Sequence, residues 1–139
     1  MLLEAELVME LFVELGETVD VGNTPEGYLR LIPIIGGKFW GEGIKGKILG
    51  GGYDWNTTLD NGLVNVFAKY ALMTDDGVAI SVENRGHLDS GCDSLIKTSP
   101  SFQVSNGKYE WLRRGIYVGC LEVPQSEKPA VCLKMYKMK

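Results

Sequence analysis

The sequence predicts an all-β protein: a closed antiparallel β-barrel of about 8–10 strands, lipocalin-like or similar, with at most one or two short helical turns. Three observations support this fold class. Apolar and polar residues alternate along several segments, which is the period of a half-buried strand. Turn-forming residues recur roughly every eight to twelve residues, and no segment has the pattern of a long helix. Closure is favoured over an open sheet because it removes exposed strand edges.

Size and charge narrow the class of protein. A chain of 139 residues suits one domain, residues 1–139, with a single core. The net charge of −4 argues against a nucleic-acid partner, because phosphate binding requires a basic surface. The N-terminus lacks the basic region of a secretory signal, and glutamates interrupt every apolar run long enough for a membrane span. We therefore expect a cytoplasmic protein with no membrane partner.

The first strand is predicted within the first fifteen residues. Every odd position from Leu3 to Leu15 is apolar, whereas glutamates occupy four of the even positions. This period of two outweighs the helix propensity of Glu, Leu and Met. Val8 and Phe12 are apolar at even positions, so they are expected on the outer face. There they could form the contact of a homodimer or a larger homo-oligomer.

The second predicted strand is Tyr28 to Ile35, which follows the turn-rich residues 22–27. Proline donates no ladder hydrogen bond, so Pro33 limits this strand to an edge, a bulge or a strand end.

Two turn signals predict a central hairpin. The sequence Asp-Asn-Gly at 60–62 separates the predicted strand WNTTL, residues 55–59, from a second strand, and Thr-Asp-Asp-Gly at 74–77 separates that second strand from a third. Parity places Tyr70 and Asn84 on the inner face, and it places Arg85 on the outer face with Glu83. The remaining elements are a polar loop at 86–91, a short strand at 94–99, a turn with one helical turn at 106–112, and a closing hairpin at 115–123 and 130–138.

The stretch GEGIKG, residues 41–46, fits the G-x-G-x-x-G fingerprint of dinucleotide-binding proteins. A working fingerprint needs a helix directly after it, whose N-terminal amides hold the pyrophosphate. The four glycines between 46 and 52 would each cost a helix about 1 kcal/mol relative to alanine, so no helix is expected. The stretch is predicted to form a barrel corner. Gly41, Gly43 and Gly46 should have turn or β-bulge geometry and contact no phosphate.

Longer motifs resemble a known family. The order GGKFWGEGIKGKILGGGYDW, YALMTDDGVAISVENRG, TSPSF and KYEWLRRGIYVG is similar to the bacterial domain-of-unknown-function family 3237, an uncharacterised protein family, from Glu6 to Tyr136. The resemblance implies a stand-alone, single-domain antiparallel β-barrel and no established activity. The segment 87–93 departs from the family's pattern, in which this loop is more basic and ends in an aromatic residue.

Six aromatic or polar residues at predicted strand ends are candidates for a ligand pocket at one open end of the barrel. They are Asp54, Trp55, Tyr70, Asn84, Arg85 and Trp111.

Each candidate also has a structural interpretation. Asp54 and Trp55 follow three glycines. Asp54 could anchor a ligand and Trp55 could stack on it, or Asp54 could cap a turn while Trp55 fills one end of the barrel. The hydroxyl of Tyr70 needs a partner or a ligand. Arg85 could pair with Glu83 on the surface or turn toward an anionic ligand. Trp111 could equally serve in packing.

The side chains that bind metals are too sparse to predict a metal site. His87 is the only histidine, and it is expected to be exposed in a loop. The three cysteines, at 92, 120 and 132, have no C-x-x-C spacing and are interpreted as reduced thiols that pack as small hydrophobic residues. Cys120 and Cys132 could also face each other across the last hairpin. No metal and no cofactor is expected.

Three functions fit the sequence. The first is a small-molecule-binding barrel. The second is a cofactor-independent enzyme, such as a lyase, isomerase or cyclase, in which Asp54 or Tyr70 moves a proton and Arg85 or Asn84 stabilises an oxyanion. The third is a structural or oligomer-forming module. The sequence favours the first two over the third and does not separate them.

Overall fold

A computed structural model describes residues 1–89 and 96–139 of the chain. These residues form ten β-strands and a single 3₁₀ turn. The strands are β1 Ala5–Leu15, β2 Val19–Thr24, β3 Gly27–Gly41, β4 Ile44–Ile48, β5 Gly52–Thr58, β6 Leu63–Thr74, β7 Ala79–Asp89, β8 Ile96–Gln103, β9 Tyr117–Glu122 and β10 Ala130–Met138, and the 3₁₀ turn is Glu110–Arg113.

The strands form one antiparallel sheet that closes on itself. The sheet runs from β1 through β10, β9, β8, β7 and β6 to β3, and β1 also pairs with β3. Ten strands fill eight positions, because β1 and β2 both lie beside β3, while β4 and β5 both lie between β3 and β6. The predicted closed barrel is confirmed.

The glycine stretch forms a hairpin between β3 and β4. Gly41 ends β3, Gly43 lies in the turn with φ +75°, and Gly46 lies inside β4. The next element is a strand, so no helix follows to hold a pyrophosphate. The predicted turn geometry is confirmed for Gly43. The prediction of turn or β-bulge geometry is wrong for Gly41 and Gly46, which pair in regular ladders without a bulge.

The predicted parity of β1 is confirmed at its centre and wrong at its start. Met9, Leu11 and Val13 are buried, and Phe12 is on the outer face between Lys38 and Cys132. The first four residues precede the strand. A bulge between residues 7 and 9 shifts the register with β10, so Leu7 is exposed and Val8 packs against the core.

Three strand boundaries differ from the prediction. The segment 19–24 is a strand, β3 continues through the glycines to Gly41, and β7 continues to Asp89. The predicted polar loop is therefore strand up to Asp89, and its last two residues lie outside the described residues. Pro33 lies inside β3 between the segments that pair with β2 and with β1. On this edge of β3, the pairing with β2 ends before Pro33 and the pairing with β1 begins after it. The missing N–H of Pro33 therefore costs no ladder hydrogen bond.

Packing divides the barrel into two halves. In the half next to the β6–β7 turn, large side chains fill the interior almost completely. The most buried are Met9, Phe39, Leu72, Ile80, Val82, Leu112 and Met135, each at most 1% exposed. The 3₁₀ turn contributes Leu112 to this core, and the preceding Tyr109 donates a 2.7 Å hydrogen bond to Asp76 in the β6–β7 turn. The other half is hollow.

The two described cysteines lie on adjacent strands, β9 and β10. Cys120 and Cys132 are free, half-buried and on neighbouring strands, where each lies opposite a different residue, so they do not face each other. Cys92 lies outside the described residues. Within residues 1–89 and 96–139, no helix is long and apolar enough to cross a bilayer.

Candidate functional site

The hollow half of the barrel encloses a cavity of about 220 Å³. Its floor is the packed core, and its rim lies near the start of β8 and the end of β9. One side of the cavity is apolar and is formed by strands β1, β3, β9 and β10. The residues on this apolar wall are Val13, Leu15, Ile32, Ile34, Leu121, Val131 and Leu133.

Among the described residues, the polar side chains of the lining come from four consecutive strands, β5 to β8. They are Asp54, Asn56, Tyr70, Asn84 and Thr98. Val66, Ala68, Leu88 and Ile96 complete this polar wall. The cavity therefore has a polar wall and an opposite apolar wall.

Strand register explains why two of these polar side chains share the cavity. Ala68 pairs with Asp54 on one side and with Asn84 on the other. The two polar residues are thus two strands apart, with Cα atoms about 10 Å from each other. Because the intervening side chain is a single methyl group, Asp54 and Asn84 both extend over Ala68 into the same space.

Thr98 is directed inward between two glycines. It pairs with Gly86 of β7 and with Gly119 of β9. A Cβ atom on Gly119 would lie 2.3 Å from the Thr98 hydroxyl oxygen. The absence of a side chain at residue 119 gives this hydroxyl its place on the polar wall.

Asp54 is the only carboxylic acid among the described lining residues. Its Oδ1 accepts a 3.0 Å hydrogen bond from the backbone N–H of Phe67, and the Asn56 side chain donates a second bond to the carboxyl group. Burial nevertheless raises the pKa of Asp54, because desolvation outweighs both hydrogen bonds. The cavity thus contains an acid that holds its proton more tightly than an exposed aspartate.

This shift predicts a pH-dependent stability for Asp54→Asn. Because the folded state binds the Asp54 proton more tightly than the unfolded state, the carboxylate lowers the free energy of unfolding above its folded-state pKa. The amide removes this penalty, so the variant should melt higher than wild type at pH 7. The difference in melting temperature between the variant and wild type should decrease as the pH falls toward 4. Thermal unfolding across this range measures it, and a variant less stable at pH 7 would contradict the argument.

Four buried polar atoms in the cavity wall have no hydrogen-bond partner within the described chain. They are Asn56 Oδ1, Tyr70 Oη, Asn84 Oδ1 and Thr98 Oγ1. Tyr70, Asn84 and Thr98 are each at most 5% exposed. An unpaired buried polar group costs about 1–3 kcal/mol, so such groups normally have a partner in a folded protein. All four belong to residues that line the same cavity.

The structure brings three of the six predicted site residues together. Asp54, Tyr70 and Asn84 line the cavity, and Tyr70 and Asn84 lie on the inner face, as parity predicted. The other three are elsewhere, so the predicted grouping of all six at one open end is wrong.

The three misplaced residues have identifiable environments. Trp55 is 42% exposed on the outside of the barrel, where its ring packs edge-on against Tyr53. Arg85 is also outside, 4.0 Å from Glu83 and stacked over the Phe67 ring at 4.2 Å. Trp111 lies in the 3₁₀ turn and packs against the core of the opposite half. Consecutive strand residues face opposite sides, so Asp54 and Trp55 cannot both point inward.

Asn56 and Thr98 also line the cavity, although they are not among the six residues predicted from the sequence. Asn56 is two residues after Asp54 in the same strand, so parity alone could have placed it inward. Thr98 has the parity of Ile96, although the face of that short strand was not assigned from the sequence. His87 is exposed on the outer face of β7 and hydrogen-bonds to Asn65 instead of lying in a loop. Within the described ranges, no three His, Cys, Asp or Glu side chains are grouped to hold a metal ion.

Comparison of the sequence with known proteins gives a consistent picture. A family model described as "Protein of unknown function (DUF3237)" matches residues 3–138. A UPF0311 protein of Rhodopseudomonas palustris is 33% identical over 132 residues, which cover 84% of this chain and 86% of that protein. A UPF0311 protein of Clostridium acetobutylicum is 34% identical over 129 residues, which cover 81% and 78% of the two chains.

Solved structures share the whole barrel. A protein of unknown function from Rhodopseudomonas palustris has a TM-score of 0.87 at 30% identity, with coverage of 100% of this chain and 99% of that one. A β-barrel-like protein from Acinetobacter baumannii has a TM-score of 0.86 at 30% identity, with coverage of 100% and 98%. An enzyme from Penicillium herquei has a TM-score of 0.77, with coverage of 100% and 96%; at 20% identity, it is similar in fold alone.

Proposed function

The chain belongs to the DUF3237 family of proteins of unknown function, and from this premise we propose that it is a small-molecule-binding barrel whose ligand occupies the cavity in the hollow half. The observation that carries the proposal is the set of four unpartnered polar atoms on the cavity wall. Natural ligand sites combine a mainly apolar lining with a few converging polar groups. This cavity has both.

Size supports the same conclusion. A dry, apolar cavity of roughly 150 Å³ accepts benzene. The cavity described here is larger, at about 220 Å³, and is open at its rim. It therefore has room for a single ring with substituents.

Filling the cavity should abolish binding. Val131 lies on the apolar wall, and Val131→Phe would place a ring in the space that a ligand needs. We expect the affinity for toluene, used as an apolar probe, to fall at least about tenfold, which corresponds to about 1.4 kcal/mol. Amide chemical shifts of ¹⁵N-labelled protein during a toluene titration measure this loss.

The matched control is Val118→Phe. Val118 faces outward on β9, next to β10, so the same substitution there should leave toluene binding unchanged. Equal binding of toluene by wild type and Val131→Phe would contradict the proposed site. A wild-type protein that binds no probe in this cavity would do the same.

Asp54 supports a second candidate function, a cofactor-independent enzyme that uses the same cavity. A general acid or base needs a pKa moved toward the working pH and a position within reach of the ligand. Burial raises the pKa of Asp54, and its carboxyl group lines the cavity. The carboxylate would take a proton from one atom of the ligand and return it to another atom of the same molecule. Such an isomerisation or cyclisation balances without a cofactor.

The roles that we propose for the other residues differ from those predicted from the sequence. Burial raises the pKa of Tyr70, so this hydroxyl stays protonated and acts as a hydrogen-bond donor rather than as a base. Arg85 is outside the barrel and cannot stabilise an oxyanion in the cavity. The Asn84 amide and the Tyr70 hydroxyl remain as donors.

Asp54→Asn separates the two candidates. An enzyme should lose turnover at least about a hundredfold with this variant while it still binds ligand. Incubation of bacterial metabolite extracts with wild type or variant, followed by mass spectrometry, would reveal a compound consumed only by wild type. If the wild-type protein consumes no compound, the enzyme candidate is rejected and the small-molecule-binding candidate remains.

A further inference from the structure

We propose that the cavity selects an uncharged molecule with one apolar and one polar side. Such a ligand is a hydrocarbon ring or short chain with hydroxyl groups along one edge, and these hydroxyl groups contact Asn56, Asn84 and Thr98 on the polar wall. This inference rests on the proposed binding function and specifies the class of ligand. Three observations carry it: the kind of polar atom left unpartnered, the one-sided arrangement of these atoms, and the absence of cationic side chains from the described lining.

The unpartnered atoms call for hydrogen-bond donors on the ligand. The amide of Asn56 donates to Asp54, which leaves its Oδ1 as a free acceptor. Asn84 also leaves its Oδ1 unpaired, and an amide oxygen can only accept. The Tyr70 and Thr98 hydroxyls can either donate or accept. A ligand hydroxyl donates and accepts and therefore satisfies every member of this set, whereas a ketone or ether would leave the amide oxygens unpaired.

The opposite wall restricts the rest of the ligand. Strands β1, β3, β9 and β10 contribute only aliphatic side chains to the cavity, among them Val13, Ile34 and Leu133. Any polar group of the ligand that faced this wall would lose its hydrogen bonds to water and gain none from the protein. The ligand must therefore present hydrocarbon to one wall and hydroxyls to the other.

Charge excludes the common ionic ligands. Within residues 1–89 and 96–139, no Lys, Arg or His lines the cavity. A carboxylate or phosphate would be buried without a counter-charge and beside the Asp54 carboxyl group. An ammonium group would have one partner, Asp54, and both charges would lose their hydration. An uncharged hydroxyl avoids both penalties.

A series of probes that share one ring tests this selectivity. Toluene, benzyl alcohol, benzoate and benzylammonium differ in a single substituent. We expect benzyl alcohol to bind roughly tenfold more tightly than toluene, which corresponds to one or two net hydrogen bonds. Benzoate should bind at least about a hundredfold more weakly than benzyl alcohol, and benzylammonium at least about tenfold more weakly. Chemical-shift titrations of ¹⁵N-labelled protein give the four affinities under one condition.

A volume-conserving variant assigns the preference to the polar wall. Asn84→Leu removes an unpartnered amide and keeps the size of the side chain, so the barrel should fold. It should reduce the affinity for benzyl alcohol about five- to tenfold and change the affinity for toluene by less than about twofold. The control, Asn65→Leu, makes the same change on the outer face of β6 and should alter neither affinity.

The outcomes distinguish this inference from the proposed function. The inference is supported if wild type and Asn65→Leu bind benzyl alcohol more tightly than toluene and Asn84→Leu does not. If toluene, benzoate or benzylammonium binds as tightly as benzyl alcohol, the ligand class is wrong but the binding cavity stands. If Asn84→Leu weakens toluene and benzyl alcohol equally, the polar wall does not select the hydroxyl. If no probe binds wild type, the proposed function fails as well.

Discussion

Gly37→Ala should destabilise the barrel by about 4 kcal/mol, or prevent folding altogether. Gly37 pairs with Val13 of β1, next to the bulge that follows Gly36 in this ladder, and has φ +129°, a conformation that side chains rarely adopt. A Cβ atom there would lie 2.0 Å from the backbone oxygen of Phe12, which cannot move without breaking the ladder between β1 and β3. Chemical denaturation or the yield of soluble protein measures the loss.

Gly43→Ala is the matched control for this prediction. Gly43 also has a positive φ, +75°, but no atom lies within 4 Å of the Cβ position. Only the backbone preference opposes the alanine, at a cost of about 1–2 kcal/mol. If the two variants lose the same stability, the contact with Phe12 is not the reason that residue 37 is glycine.

Leu72→Ala should lower the free energy of unfolding by about 2–5 kcal/mol. Leu72 is 0% exposed in the packed half, where its neighbours cannot collapse into the space left by three carbon atoms. Denaturant unfolding with circular dichroism gives the value.

The same substitution in the hollow half should cost much less. Leu121 lines the cavity and is only half-buried, so Leu121→Ala enlarges an existing space and should cost about 1 kcal/mol. The comparison of the two variants tests the division of the barrel directly. Equal losses would mean that both halves are packed alike in solution.

The sequence predicts most of the sheet, because alternation, turn residues and glycine costs are local properties. It places Tyr70 and Asn84 inward by parity alone. It fails at Val8, where a bulge depends on the register with β10, a strand that is more than a hundred residues away in the sequence. It also fails near Arg85, because Gly86 resembles the start of a loop although it continues the ladder between β6 and β8.

A pocket at one open end of the barrel is predicted from the sequence, but the residues that form its apolar wall could not be predicted. Its apolar wall has the same Val, Leu and Ile residues as a filled core, and only their packing distances show that the space between them is empty. The three glycines before Asp54 mark it as a candidate in the sequence, whereas its inward position follows from the pairing with Ala68. The ring of Trp55 makes it a candidate as well, but neighbouring strand residues face opposite sides, so Trp55 points outward when Asp54 points inward.

The unequal packing of the two halves has a consequence for how such a barrel can diversify. Fully buried large side chains are concentrated in the filled half, whereas the side chains that would contact the proposed ligand project from β5 to β8 in the hollow half. If the proposed function holds, substitutions at residues 56, 84 and 98 would change which ligand binds and leave the filled half unaltered. One scaffold can serve many ligands in this way, so relatives with the same barrel need not share a substrate.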